Sequence, residues 1–172
     1  MKNNIFKSLT LLIALISFTP VTAKAEKWGV LGGVQRYGWE DERSNPIIED
    51  AKFSPVFGIA LYPWSQPIEV DILYTTKTIA EGYETNSLQF PIFYRADIFK
   101  ELKLGVGAFF DYDLEDETYG KQKLDIGLAG SLQYQIPFGK GFLVLDARYL
   151  HGMTDLPGKS NYVTLLAGFI LK

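Results

Sequence analysis

Residues 124–136 read Leu-Asp-Ile-Gly-Leu-Ala-Gly-Ser-Leu-Gln-Tyr-Gln-Ile. Leu124, Ile126, Leu128, Leu132, Tyr134 and Ile136 fall on one parity, and Asp125, Gly127, Ala129, Ser131, Gln133 and Gln135 on the other. A helix would scatter both sets around its circumference. A strand sends successive side chains to opposite faces and separates them cleanly, so this segment is a two-faced β-strand.

The same period recurs in both directions. Leu102, Leu104, Val106, Ala108, Phe110 and Tyr112 alternate with Lys103, Gly105, Gly107, Phe109, Asp111 and Asp113. Leu88, Phe90, Ile92 and Tyr94 alternate with Gln89, Pro91, Phe93 and Arg95, and Ile68, Val70, Ile72 and Tyr74 with Glu69, Asp71, Leu73 and Thr75. After the opening stretch, Leu143, Leu145, Ala147 and Tyr149 alternate with Phe142, Val144, Asp146 and Arg148. Segments at about 27–38, 53–64 and 161–171 are apolar on both parities and complete a set of about eight strands. Each is long enough for the roughly 9–11 residues that a tilted membrane strand requires.

The connections alternate in length. Trp39 to Ala51 is long, Ser65-Gln66-Pro67 tight, Ala80–Glu84 medium and Asp97–Lys100 short. Glu115–Lys121 is medium, Gly139-Lys140-Gly141 tight, and Met153–Ser160 carries a Pro157-Gly158 turn signal. Loops on one rim and turns on the other predict an all-β fold, a single antiparallel up-and-down transmembrane β-barrel, with both termini on the turn side.

Composition bounds the rest. The chain has 172 residues, room for one domain, and 12 Phe, 10 Tyr and 3 Trp among them. It has no cysteine, which excludes disulfides, thiolate metal sites and a cysteine nucleophile. Residues 1–25 read as a signal peptide: basic Lys2 and Lys7, an apolar run from Leu9 to Phe18, Pro20, then Ala23-Lys24-Ala25 before cleavage. The apolar run is too short for the roughly 20 residues of a membrane-spanning helix. Without that segment the barrel domain, residues 26–172, carries a formal charge of −6, with 14 basic and 20 acidic residues. Such a chain offers no basic patch to nucleic acid.

Alternation also fits a soluble barrel that turns its apolar face inward around an apolar ligand, and that reading is kept as an alternative. Two features favour the inverted version. Gly105, Gly107, Gly127, Ala129 and Ser131 crowd the polar parity, where a narrow lumen needs small residues and water does not. Trp28, Trp39, Tyr62, Trp64, Tyr74, Tyr94, Tyr112, Tyr134, Tyr149 and Tyr162 gather toward strand ends, as membrane-interface girdles do.

The stretches LKLGVGAFFDYDL, QKLDIGLAGSLQYQI and LVLDARYLHGM resemble the small outer-membrane β-barrel domain family of Gram-negative bacteria, the OmpA/OmpX-like and PorT-like barrels. LQFPIFYRA looks like the fourth strand of that family, and Asp125-x-Gly127 and Arg148-Tyr149-x-x-Gly152 resemble its sixth and seventh. The resemblance spans nearly all of residues 27–172. It implies an outer-membrane location, lipid and lipopolysaccharide as surroundings, and passage through the barrel-assembly machinery. Such barrels usually end on an aromatic residue, whereas this chain ends Gly168-Phe169-Ile170-Leu171-Lys172.

Strand-borne charges form the candidate site. Glu69, Asp71, Arg95, Lys103, Asp111, Asp125, Asp146 and Arg148 share the polar parity and are expected to pair across an eight-stranded lumen just wide enough for side chains. That favours a plugged barrel over an open pore, with a structural or interaction role in the envelope as a monomer. No cofactor or metal site is expected: the acidic clusters Glu40-Asp41-Glu42, Glu49-Asp50 and Glu115-Asp116-Glu117 lack the spacing of a Ca²⁺ loop. Gly29, Gly32 and Gly33 precede no helix or Lys-Ser/Thr, so they form no phosphate loop.

A lipid-modifying enzyme is the second alternative. It would depend on His151, the only histidine, with Thr154 or Ser160 as nucleophile and Asp155 as orienter. Deacylase barrels place a Ser two residues after the His, and Met153 stands there instead. The expectation is therefore a protein without enzymatic activity.

Overall fold

The computed structural model describes residues 27–40, 53–63, 67–80, 83–114, 124–154 and 159–171. The signal-peptide segment, the three acidic clusters beyond Glu40, Trp64, Asp155, Pro157-Gly158 and Lys172 lie outside the described residues.

Eight strands follow in order: β1 Lys27–Glu40, β2 Phe53–Tyr62, β3 Ile68–Ala80, β4 Tyr83–Asp97, β5 Leu102–Asp113, β6 Leu124–Phe138, β7 Gly141–Gly152 and β8 Lys159–Leu171. Each pairs antiparallel with its sequence neighbour, and β1 pairs with β8, which closes the barrel. Closure removes every sheet edge, the condition for β-structure in hydrocarbon.

Following the register once around the ring fixes the stagger. Trp28 pairs with Leu61, Leu61 with Val70, Val70 with Ile92, Ile92 with Ala108 and Ala108 with Leu128. Leu128 then pairs with His151, His151 with Asn161 and Asn161 with Gly38. The path leaves β1 at residue 28 and returns at residue 38, a shear of ten. Such stagger goes with strands tilted about 35–45°.

One connection departs from the sequence reading. β3 and β4 run on to Ala80 and Tyr83, which pair with each other, so only residues 81 and 82 separate them. The expected medium loop Ala80–Glu84 is mostly strand, because Thr76, Lys77 and Thr78 pair with Asn86, Thr85 and Glu84 despite an irregularity before Ala80. On the opposite rim the β6–β7 turn is tight. Gly139 has φ of 56°, a left-handed conformation that glycine adopts without steric cost.

The polarity of the barrel is inverted relative to a water-soluble protein. Among the described residues, 28 large apolar side chains are exposed, whereas 20 polar or charged residues are buried against 13 apolar ones. The outward face carries Val30, Phe57, Ile72, Ile92, Val106, Leu128, Leu145 and Leu165. Of the girdle aromatics, Trp28, Tyr94, Tyr112, Tyr134 and Tyr149 are exposed outward.

Tyr62 and Tyr162 correct that expectation. Tyr162 is fully buried, its ring tilted against that of Tyr37, and Tyr62 packs against an interior apolar cluster. Position near a strand end says nothing about face. Face is set by parity, and β8 is apolar on both parities, so its sequence hides which side is inward.

Candidate functional site: the filled lumen

Inward positions of β3 to β7 build a five-charge cluster toward the turn side. Arg95 donates through Nη2 to Glu69 Oε1 and Asp146 Oδ2, each at 2.7 Å, and through Nε to Glu69 Oε2 at 3.0 Å. Its Nη1 donates to Ser131 Oγ, and that hydroxyl donates to Asp146 Oδ1. Arg148 reaches Asp71 Oδ2 at 2.5 Å, Glu69 Oε1 at 3.0 Å and Asp146 Oδ2 at 2.9 Å. Tyr62 closes one end by donating to Glu69 Oε2 at 2.5 Å, and Gln133 Nε2 adds Asp146 Oδ2 at 3.2 Å. Two planar guanidiniums suit this role, because each serves several carboxylate oxygens at fixed angles.

A second ionic group lies toward the loop side. Lys77 Nζ stands 2.6 Å from Asp111 Oδ2 and 2.5 Å from Asp113 Oδ1. Tyr162 donates to the same Asp111 oxygen at 2.5 Å. The ammonium also lies 5.6 Å from the Tyr37 ring centroid and 5.7 Å from that of Tyr162, within cation–π range.

Aromatic rings separate the two groups. The Arg95 and Arg148 guanidinium carbons lie 4.6 and 5.0 Å from the Phe93 ring centroid. Phe93 packs with Phe109, Ala129 and Leu150, and Phe109 meets Tyr162 edge-on at 5.5 Å. Leu31, Val56, Ala60, Leu73, Val144, Leu166 and Ile170 form a second apolar cluster inside the wall. The interior is therefore an ionic layer, an aromatic layer and a second ionic layer, stacked along the barrel.

Of the eight charges expected to share the lumen, Glu69, Asp71, Arg95, Asp146 and Arg148 meet in one cluster and Asp111 belongs to the other. Asp125 stands apart near the loop rim, accepting from Ser160 Oγ and from Thr154 Oγ1 at 3.1 Å. Lys103 sits at the turn rim and pairs with the exposed Asp97 instead. The sequence reading missed Lys77, Asp113 and Tyr162 as members. Lys77 carries a signal in the sequence, since Glu69, Asp71, Leu73, Thr75 and Lys77 continue one buried parity along β3.

Space in this lumen is set by glycine. A Cβ on Gly105 would lie 2.7 Å from Arg95 Nη1, and one on Gly127 would lie 1.9 Å from the His151 carbonyl oxygen and 2.6 Å from Phe109 Cε1.

Of the imidazole constellation, Asp155 lies outside the described residues, and His151 and Ser160 face opposite sides of the wall. His151 faces outward and bonds through Nδ1 to Asn161 Oδ1 at 2.7 Å, while Ser160 points into the lumen toward Asp125. Thr154 Oγ1 is engaged with Asp125 and accepts from the Ile126 amide at 2.8 Å. Among the described residues no group of three or more His, Cys, Asp and Glu side chains is arranged to hold a metal ion.

No family model and no curated protein matches the chain. Among solved structures it resembles Neisserial surface protein A, with a TM-score of 0.52 and 16% identity over 84% of this chain and 96% of that one. It also resembles Ail, the attachment invasion locus protein of Yersinia pestis, with a TM-score of 0.51 and 13% identity over 84% of this chain and 98% of that one. Identities this low speak for architecture alone: the chain shares with these two outer-membrane proteins the fold of a closed eight-stranded antiparallel barrel.

Proposed function

We propose that this chain is a closed-lumen barrel of the Gram-negative outer membrane, with a structural or interaction role in the envelope and no enzymatic activity. The observation that carries the reading is the inverted polarity: exposed Leu, Ile, Val and Phe outside, salt-bridged carboxylates and guanidiniums inside. In water such a surface would aggregate, since soluble monomers rarely expose apolar patches beyond a few hundred Å². The same polarity argues against a soluble carrier of an apolar ligand, whose lumen would be apolar.

The absence of a pore rests on the layered interior. Phe93 and Phe109 are fully buried between the ionic groups, and an ion entering either end meets rings instead of water. Export by residues 1–25, insertion by the assembly machinery, a monomeric state and contact with lipopolysaccharide belong to the same proposal.

Expression in a Gram-negative host, followed by outer-membrane isolation and gel electrophoresis of unboiled and boiled samples, tests it. A band in that fraction that shifts on boiling supports a closed membrane barrel. A soluble periplasmic protein without the shift overturns it. Stepwise conductance of the purified protein in planar bilayers would overturn the closed lumen while leaving the barrel intact.

A further inference from the structure

The turn-side rim is uneven, and its longest part is apolar. β6 pairs with β5 as far as Tyr134, opposite Leu102, and then runs four residues further to Phe138. At roughly 3.4 Å per residue and a tilt of about 40°, that is about 10 Å beyond Tyr134. The Gln135 amide donates to the Glu101 carbonyl at 2.7 Å, which holds the β4–β5 turn beside this extension. The Leu102 amide closes that turn by donating to the Phe99 carbonyl at 3.2 Å, and the turn carries Ile98, Phe99 and Lys100, all exposed. Phe99, at 69%, is the most exposed large apolar side chain among the described residues, and Phe138 stands at 61%. Phe138 meets the Phe169 ring edge-on at 6.3 Å, and exposed Lys140 follows it in the β6–β7 turn.

An interface girdle does not account for these groups. Trp28, Tyr94 and Tyr134 join an apolar ring to a polar tip, as a boundary between hydrocarbon and water requires. Ile98 stands four residues past Tyr94 and Phe138 four past Tyr134, and neither has a polar atom in its side chain. Charge gathers on the same rim. Among the described residues it carries Lys27, Lys100, Lys103 and Lys140 against Asp97 and Glu101, a surplus of two positive charges on a domain of −6. Lys103 is engaged with Asp97 and Glu101 is half-buried, whereas Lys100 and Lys140 are exposed at the two turn tips.

We infer that this ledge binds anionic phospholipid of the periplasmic leaflet, with phosphate at Lys100 and Lys140 and the glycerol and upper chains against Phe99, Ile136 and Phe138. Phe99-Lys100 and Phe138-Gly139-Lys140 repeat one order, an apolar ring followed by an ammonium at the tip. A phospholipid has the same order from its chains to its phosphate. Headgroups occupy roughly 5–7 Å of each leaflet, so an extension of about 10 Å crosses that layer. The apolar ledge is also continuous with the outward face through Leu104, Tyr134 and Leu143. A soluble acidic partner would match the lysines and leave the rings without a role. The inference rests on the membrane reading proposed above.

The test uses the refolded barrel in a neutral detergent. Retention of phosphatidylglycerol is compared with that of phosphatidylcholine carrying the same chains, by mass spectrometry of the intact complex. The expected result is preferential retention of phosphatidylglycerol, reduced about fivefold by Lys100→Gln or Lys140→Gln, the weight of one basic residue near an anionic surface. Phe99→Ser should lower retention of both lipids, and Lys159→Gln at the loop rim should change neither. Equal retention of the two lipids overturns the proposal, as does a preference that survives in the Lys100→Gln, Lys140→Gln double variant. Displacement by millimolar inorganic phosphate also overturns it, assigning the lysines to a soluble anion. The boiling shift and the outer-membrane fraction are read for every variant, so failure of the lipid site is distinguishable from failure of the membrane barrel.

Discussion

Arg148 on β7 bonds to Asp71 on β3 at 2.5 Å, straight across the lumen, since three strands lie between β3 and β7 either way around the ring. The same guanidinium also holds Glu69 and Asp146. It is a strut between opposite walls as well as a counter-charge. Arg148→Met should therefore destabilise the barrel by about 3–5 kcal/mol, the usual cost of leaving buried charge without its partner. Adding Asp71→Asn should restore part of that loss. Urea unfolding of the refolded protein in detergent, run as a double-mutant cycle, measures the coupling; additive single mutants would contradict the strut.

The face of each of these residues was legible in the sequence, but their partnership was not. Period two told that Glu69, Asp71, Arg95, Asp146 and Arg148 share a side. It could not tell that Asp71 meets Arg148 while Lys103 meets Asp97, because height and cross-lumen distance depend on the shear, a property of the closed ring. Tyr162 was misplaced for a related reason: Val163, Leu165 and Ala167 outside and Tyr162, Leu166 and Ile170 inside are equally apolar. The inward Phe93 and Phe109 were on the polar parity all along, yet only the structure makes them a layer between two ionic groups.

That layer is the barrier to ions. Phe93→Ala combined with Phe109→Ala should open a water-accessible path and produce ion leakage in liposomes where the parent protein shows none. Among the described residues the buried charges are Glu69, Asp71, Asp111, Asp113, Asp125 and Asp146 against Lys77, Arg95 and Arg148. The leak should therefore favour cations. Each substitution also removes a large buried side chain, a loss of about 3–5 kcal/mol, so the boiling shift must be checked alongside the flux. A folded double variant that stays tight would place the barrier elsewhere.

Two glycines of one strand should respond oppositely. Gly127 of β6 faces inward, and a methyl there collides with backbone and with Phe109; Gly130 faces outward, with nothing within 4 Å of its Cβ position. Gly127→Ala should cost about 1–3 kcal/mol through overpacking. Gly130→Ala should change stability by no more than about 0.5 kcal/mol, or improve it, since glycine weakens a strand. Denaturation midpoints of the two variants under one condition decide the point. Equal effects would mean that the wall at Gly127 yields.

The membrane reading makes its own demand on Leu165, the central residue of β8, outward and half exposed. In water, Leu165→Arg replaces a solvent-facing apolar group by a charged one, and solubility should improve at little cost. In a bilayer the same guanidinium lies near the midplane, too deep to snorkel easily, and costs about 2–4 kcal/mol on the lipid face of a barrel. Lys159→Arg, at the loop rim of the same strand, keeps its charge in the headgroup region and should be neutral. Folding into lipid vesicles, followed by denaturant titration, gives both values. A large penalty at 165 with none at 159 is the depth dependence that a membrane-spanning strand requires, and equal small effects at the two positions would put water against this face.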